Sequence, residues 1–193
     1  MQSASGATRR FSLHGLAVEV DCRVPCIDPQ VSRLLGEFEV DAFPEGFGPV
    51  RGHIEPYSEA EVVRRLPTNA RRLHDLPEPL EVYRDDERFW LVEERWGIVE
   101  VTPLKHEWRA WVLPRTLLDS DRLGQRCLYW PLAQLLRVRG LHLLPSSSLV
   151  RADWGVLMLG GDAMETELRA MVRAGWGLIG QSWTAVRVDQ GHV

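Results

Sequence analysis

The segment Gly160-Gly161-Asp162-Ala163-Met164-Glu165-Thr166-Glu167 is where this sequence comes nearest to chemistry. It follows an apolar run, Val156-Leu157-Met158-Leu159, short enough for a buried strand. It precedes a helix candidate from Met164 to Ala174 closed by Gly175 and Gly177. Strand, glycine break and helix is the layout of a nucleotide phosphate site, because loop amides and the first helical turn turn free N–H groups toward anionic oxygens. Yet no G-x-x-x-x-G-K-[ST] can be drawn through these residues. The acids Asp162, Glu165 and Glu167 read as a complement to the helix dipole rather than as a metal site.

Other reactive residue types are sparser. Cys22 and Cys26 have a spacing that would let them join His14 at a metal, but a single C-x-x-x-C lacks the second pair that makes a zinc assignment strong. His53, His74, His106 and His142 are scattered, and His142 on an apolar segment reads as a packed histidine. Ser146-Ser147-Ser148 reads as a polar strand start, and no Gly-x-Ser-x-Gly elbow is present.

The elements that must position the glycine loop follow from periodicity. Phe11 to Val20 alternates apolar residues with Gly and polar ones, and Val50 to Ile54 is a short strand. Ser58 and Glu61 form a capping box that opens a short helix ended at Pro67, and Leu66 to Pro79 reads as mostly connection. Leu80–Tyr83, Arg88–Val92, Gly97–Val101 and Trp108–Leu113 read as strands of an antiparallel meander with turn chemistry at Asp85-Asp86. Trp90, Trp96, Trp108 and Trp111 crowd that meander and supply packing area for a core. After Pro114, Leu117, Leu118, Leu123, Leu128, Leu132, Leu135 and Leu136 recur at helical spacing, with Pro131 able to start a second helix and Gly140 to end it. Short apolar runs at Leu141–Leu144 and Leu149–Val150, a turn at Asp153-Trp154-Gly155 and a strand from Trp183 to Val188 complete the pattern.

Composition narrows the partners. With 193 residues, 45% of them hydrophobic, the chain can bury a core in one domain or two small ones. A net charge of -4, spread over 23 basic and 27 acidic residues, gives no electrostatic footprint for nucleic acid or an anionic membrane. No run approaches a membrane span, and the N-terminal stretch lacks a signal peptide's apolar core. Three cysteines, Cys22, Cys26 and Cys127, suit a reducing compartment, so a cytoplasmic protein is expected.

Three stretches together, Leu135-Leu136-Arg137-Val138-Arg139-Gly140-Leu141-His142-Leu143-Leu144, then Gly155 to Gly160, then Leu168 to Gly175 with Leu178-Ile179, resemble the HPr kinase/phosphorylase-like family. The N-terminal Leu13-His14-Gly15-Leu16-Ala17-Val18 and the Trp-rich meander are similar to the β-rich leader of that family. The resemblance implies an α/β fold: a β-rich antiparallel half over residues 1–114, then a helical linker and a truncated P-loop kinase-like core over 115–193. It places Thr166 at the magnesium-binding position and Glu165 where the catalytic lysine belongs, in a loop one residue short, with Gly160, Gly161 and Asp162 as the vestige of a nucleotide site. A glutamate there reverses the sign of a contact that neutralises phosphate. The family's aspartate pair is replaced by Gly180-Gln181-Ser182, and its histidine by Pro145-Ser146-Ser147. The expectation is therefore a non-catalytic regulatory, scaffold or accessory protein, without a cofactor, that binds another protein chain or itself. The alternatives are a nucleotide sensor or serine kinase using Mg-ATP, and an accessory protein of modified-peptide biosynthesis.

Overall fold

Phe11, Leu13, Leu16, Val18 and Val20 are buried at every second position. The strands they make, β1 (Thr8–Leu13) and β2 (Leu16–Cys22), run antiparallel and turn at Gly15, whose φ of +84° suits glycine. These coordinates are a computed structural model that describes residues 8–13, 15–43, 48–58, 69–75, 80–93, 96–113, 120–159, 164–180 and 183–187. Helix α1 (Asp28–Leu35) opens with an acid and a proline in its first turn, buries Val31 and Leu35, and leads to β3 (Val50–Pro56), which pairs parallel with β2.

β4 (Arg71–Asp75), β5 (Glu81–Arg84), β6 (Phe89–Glu93), β7 (Gly97–Thr102) and β8 (Glu107–Val112) form the expected antiparallel meander. Asp85 makes the turn between β5 and β6 by accepting the backbone N–H groups of Glu87 and Arg88 at 2.9 and 2.7 Å. The eight-stranded sheet has the order β1-β2-β3-β8-β7-β6-β5-β4. Two readings from sequence are corrected here. The region from Leu66 to Pro79, read as connection, contains the edge strand β4. The N-terminal half is mostly rather than wholly antiparallel, because β3 pairs parallel with both β2 and β8. Ser58 is described, but Glu61 and the short helix that the capping box was expected to open lie outside the described residues.

Trp90, Trp96, Trp108 and Trp111 are buried and so supply core packing; Trp90 and Trp111 share one cluster with Tyr57, Val92, Ile98 and Leu113. Gly52 lies directly against the Trp108 ring, and a Cβ there would overlap it. One helical stretch follows, not two. It consists of α2 (Ser120–Gly124), a π-helical turn (Gln125–Tyr129) and α3 (Trp130–Val138). Pro131 does not start a helix but sits within this stretch. It has no N–H to return to the Cys127 carbonyl four residues back, and that carbonyl accepts the Trp108 indole N–H at 2.9 Å. In the same turn Arg126 pairs with the buried Glu93, which also accepts the Trp96 indole N–H at 2.7 Å. The Arg126 guanidinium lies 6.0 Å from the Trp96 ring centroid.

The chain divides into two compact units, Met1–Leu135 and Leu136–Val193, with the boundary inside α3. Gly140 ends that helix at φ +75°. The second unit contains β9 (Leu141–Leu144), β10 (Ser146–Arg151), β11 (Trp154–Leu159), α4 (Met164–Arg173), β12 (Gly177–Gly180) and β13 (Thr184–Arg187). β11, β10 and β12 form an antiparallel three-stranded sheet in that order, and β13 pairs with β9. Both β11 and β12 oppose the central β10, so they run in the same direction on either side of it. Helix α4 ends in a double bond pattern at Gly175 (φ +88°): Trp176 N–H to the Met171 carbonyl and Gly175 N–H to that of Val172. The molecule is a mixed α/β protein with a large, mostly antiparallel sheet and few helices. No helix among the described residues is long and apolar enough to cross a membrane.

Candidate functional site

Helix α4 begins at Met164 and presents Glu165, Thr166 and Glu167 on its exposed first turn. Gly160, Gly161, Asp162 and Ala163 lie outside the described residues, as do Gln181 and Ser182. Of the expected vestigial site, Glu165 and Thr166 are therefore the positions with described geometry. Glu165 accepts an N–H of Arg169 at 2.6 Å, one turn further along the same helix. Both side chains are exposed, and such a pair contributes about 0.3–0.5 kcal/mol to a helix. Glu165 is thus engaged in local helix electrostatics. Residues 136–193 contain no lysine at all, so no ammonium from this unit can take the place that a phosphate-binding lysine would occupy.

The strand before the loop departs from expectation. β11 was expected to be buried, and it is not: Trp154 is 75% exposed, Leu159 64% and Leu157 38%. The reason is topological. Among the described residues β11 has β10 as its only strand partner, so one long side faces outward. The turn leading into it is also displaced from the expected Asp153-Trp154-Gly155: it comprises Ala152 and Asp153, with Ala152 at φ +50°, and Trp154 already belongs to the strand.

Pairing registers sort the residues into two faces. Leu149, fully buried, stands beside Val156 and Leu178; on the other face Ser148 stands beside Leu157 and Gly180, and Val150 beside Gly155 and Gly177. The pattern inverts the usual order of burial. Ser146, Ser147 and Ser148 are buried, whereas Val150, Leu157, Leu159, Leu178 and Ile179 are exposed. Apolar exposure thus occurs on both faces of the sheet, with Val150 and Leu157 on one and Leu178 on the other. Sequence reasoning located the apolar run but missed its exposure. The available signal was the absence of any charge between Asp153 and Asp162.

Two of the three cysteines are buried. Cys22 at the end of β2 is buried, and its thiol is pushed up to about 11 chiefly by that burial. Burial likewise raises the thiol of Cys127. Burial thus favours the thiol over the thiolate at both positions. Cys26 is exposed, and His14 lies outside the described residues. No group of three His, Cys, Asp or Glu side chains among the described residues is placed to hold a metal ion.

Comparison of the chain with family models, with curated proteins and with solved structures finds no match.

Proposed function

We propose that this chain is a non-catalytic HPr kinase-like protein that acts through protein–protein contacts of its second unit, as a regulatory or scaffold subunit. The observation that carries this reading is the uncharged strand β11, with Trp154, Leu157 and Leu159 exposed, next to a strand that buries Ser146, Ser147 and Ser148. The charge at the head of α4 supports it further. Glu165 stands where phosphoryl transfer needs a cation, and its carboxylate already has Arg169 as a partner. Desolvating Glu165 and Glu167 beside a triphosphate would set like charges against one another and oppose binding.

The competing reading is a nucleotide sensor that holds Mg-ATP through backbone amides and Thr166. Calorimetric titration of the purified chain with Mg-ATP separates the two. No heat of binding is expected; saturable binding tighter than about 0.1 mM, worth over about 5 kcal/mol, would overturn the non-catalytic reading.

A further inference from the structure

We infer that β11 is a self-pairing edge, and that its occupant is β11 of a second copy of this chain, antiparallel about a two-fold axis at Leu157. The inference rests on the association reading above and names the partner.

Three observations fix the occupant. The first is charge. An isologous interface sets each residue against its own kind or a near neighbour, so any charge on the strand would face a like charge. The six residues Trp154-Gly155-Val156-Leu157-Met158-Leu159 carry none. The edges of the eight-stranded sheet are different: β1 carries Arg9 and Arg10, and β4 carries Arg71 and Arg72, which disfavours self-pairing of either strand.

The second observation is which backbone groups have no strand partner among the described residues. Arg151 and Trp154 close a two-residue hairpin loop, and such a loop closes on a hydrogen-bonded pair. The backbone groups of Trp154, Val156 and Met158 therefore turn toward β10. Those of Gly155, Leu157 and Leu159 turn toward the open side. With the axis at Leu157, Leu157 meets Leu157 of the copy as a hydrogen-bonded pair, and Gly155 meets Leu159 in the same way.

The third observation is shape. An ideal Cβ on Gly155 meets nothing within 4 Å, so the space over this residue is open, with Val150 beside it in register. Leu159, 64% exposed, is on the same face and two residues beyond the axis. The two-fold sets the large side chain of one copy over the glycine of the other and beside its Val150. The result is a continuous six-stranded sheet with its exposed apolar face extended across the axis.

The test is the mass of the full chain in solution by sedimentation equilibrium, with circular dichroism as a check of folding. A dimer is expected at about 100 µM, and Leu157→Lys, which sets two ammonium groups against each other at the axis, is expected to weaken it by at least about tenfold. Leu157→Glu alone should do the same. An equimolar mixture of the two variants should restore a heterodimer, an outcome that misfolding of either variant would not produce. A wild-type chain that stays monomeric at that concentration, or a Leu157→Lys chain that dimerises as wild type does, overturns the two-fold. A monomer that also takes no Mg-ATP leaves the association reading standing with a different partner, whereas Mg-ATP binding removes that reading itself.

Discussion

The eight-stranded sheet and the three-stranded sheet treat their edges and their large side chains in opposite ways. In the first, the tryptophans are inside and each edge strand carries adjacent arginines: Arg9 bridges to Glu39 at 2.7 Å, Arg10 to Glu19 at 3.4 Å and Arg72 to Glu81 at 2.6 Å. In the second, a tryptophan and several leucines are outside, and neither β11 nor β12 carries a charge. Charge on an edge blocks the addition of a further strand; its absence invites one. One sheet guards both edges with charge, and the other, on the proposal above, is continued by a second copy.

The largest expected effects lie inside the finished sheet. Trp96→Ala removes a fully buried indole and the partner of Glu93, and should cost about 3–5 kcal/mol in urea unfolding. Arg126→Met should cost a similar amount, about 3–5 kcal/mol, because it leaves the Glu93 carboxylate buried without its cation. Gly52→Ala pushes a methyl group into the Trp108 ring and should cost about 1–3 kcal/mol in the same measurement. By contrast, Trp154→Ala should change the unfolding free energy of the dilute monomer by no more than about 0.5 kcal/mol. A cost for Trp154→Ala equal to that for Trp96→Ala would erase the distinction between the two units. The edge contrast can be broken from the other side as well. The double variant Arg71→Val, Arg72→Val removes both cations from β4, leaving Asp75 as its acid, and should let the first sheet self-associate, read as a rise in sedimentation mass with concentration.

The smallest effect is on acid stability. Burial by itself raises the Asp85 carboxyl, but the amides of Glu87 and Arg88 and the Arg88 guanidinium outweigh it and hold the group below its usual range. A depressed carboxylate contributes stability that is fully present above its unfolded value, about 3.9, and is lost as pH falls through the lower folded value. Asp85→Asn should therefore flatten the acid limb of the stability curve below about pH 4 while leaving its slope near neutrality unchanged.

These contrasts mark where the sequence was readable. The meander from Glu81 to Val112 and the stop at Gly175 are written in neighbouring residues: alternating Val and Trp, an Asx turn, a glycine at positive φ. The parallel pairing of β3 with β8 is not, because Gly52 and Trp108 carry no local mark of each other. Nor is the Glu93–Arg126 pair, whose partners come from a hairpin and a π-helical turn. The run from Val156 to Leu159 has the same composition whether neighbours cover it or not, so its exposure was decided by topology. In the candidate site, the acid at Glu165 stands in the sequence itself, but its partner Arg169 becomes evident only once the helix sets the two residues one turn apart.

β8 also sets a clock. Its pairing with β7 needs only the short connection Pro103 to His106, but its pairing with β3 joins Gly52 to Trp108 across the whole meander. Short connections close quickly, and long ones must bear their loop entropy before any contact rewards it. Loop entropy therefore predicts that the hairpins from β5 to β8 form early and that β3 docks onto β8 late. Because closure entropy grows only logarithmically, by about 0.6 kcal/mol per doubling of length, residues inserted between β3 and β4 would slow that event only slightly. Alanine at Gly52, on the docking strand, would act mainly on the last step of folding.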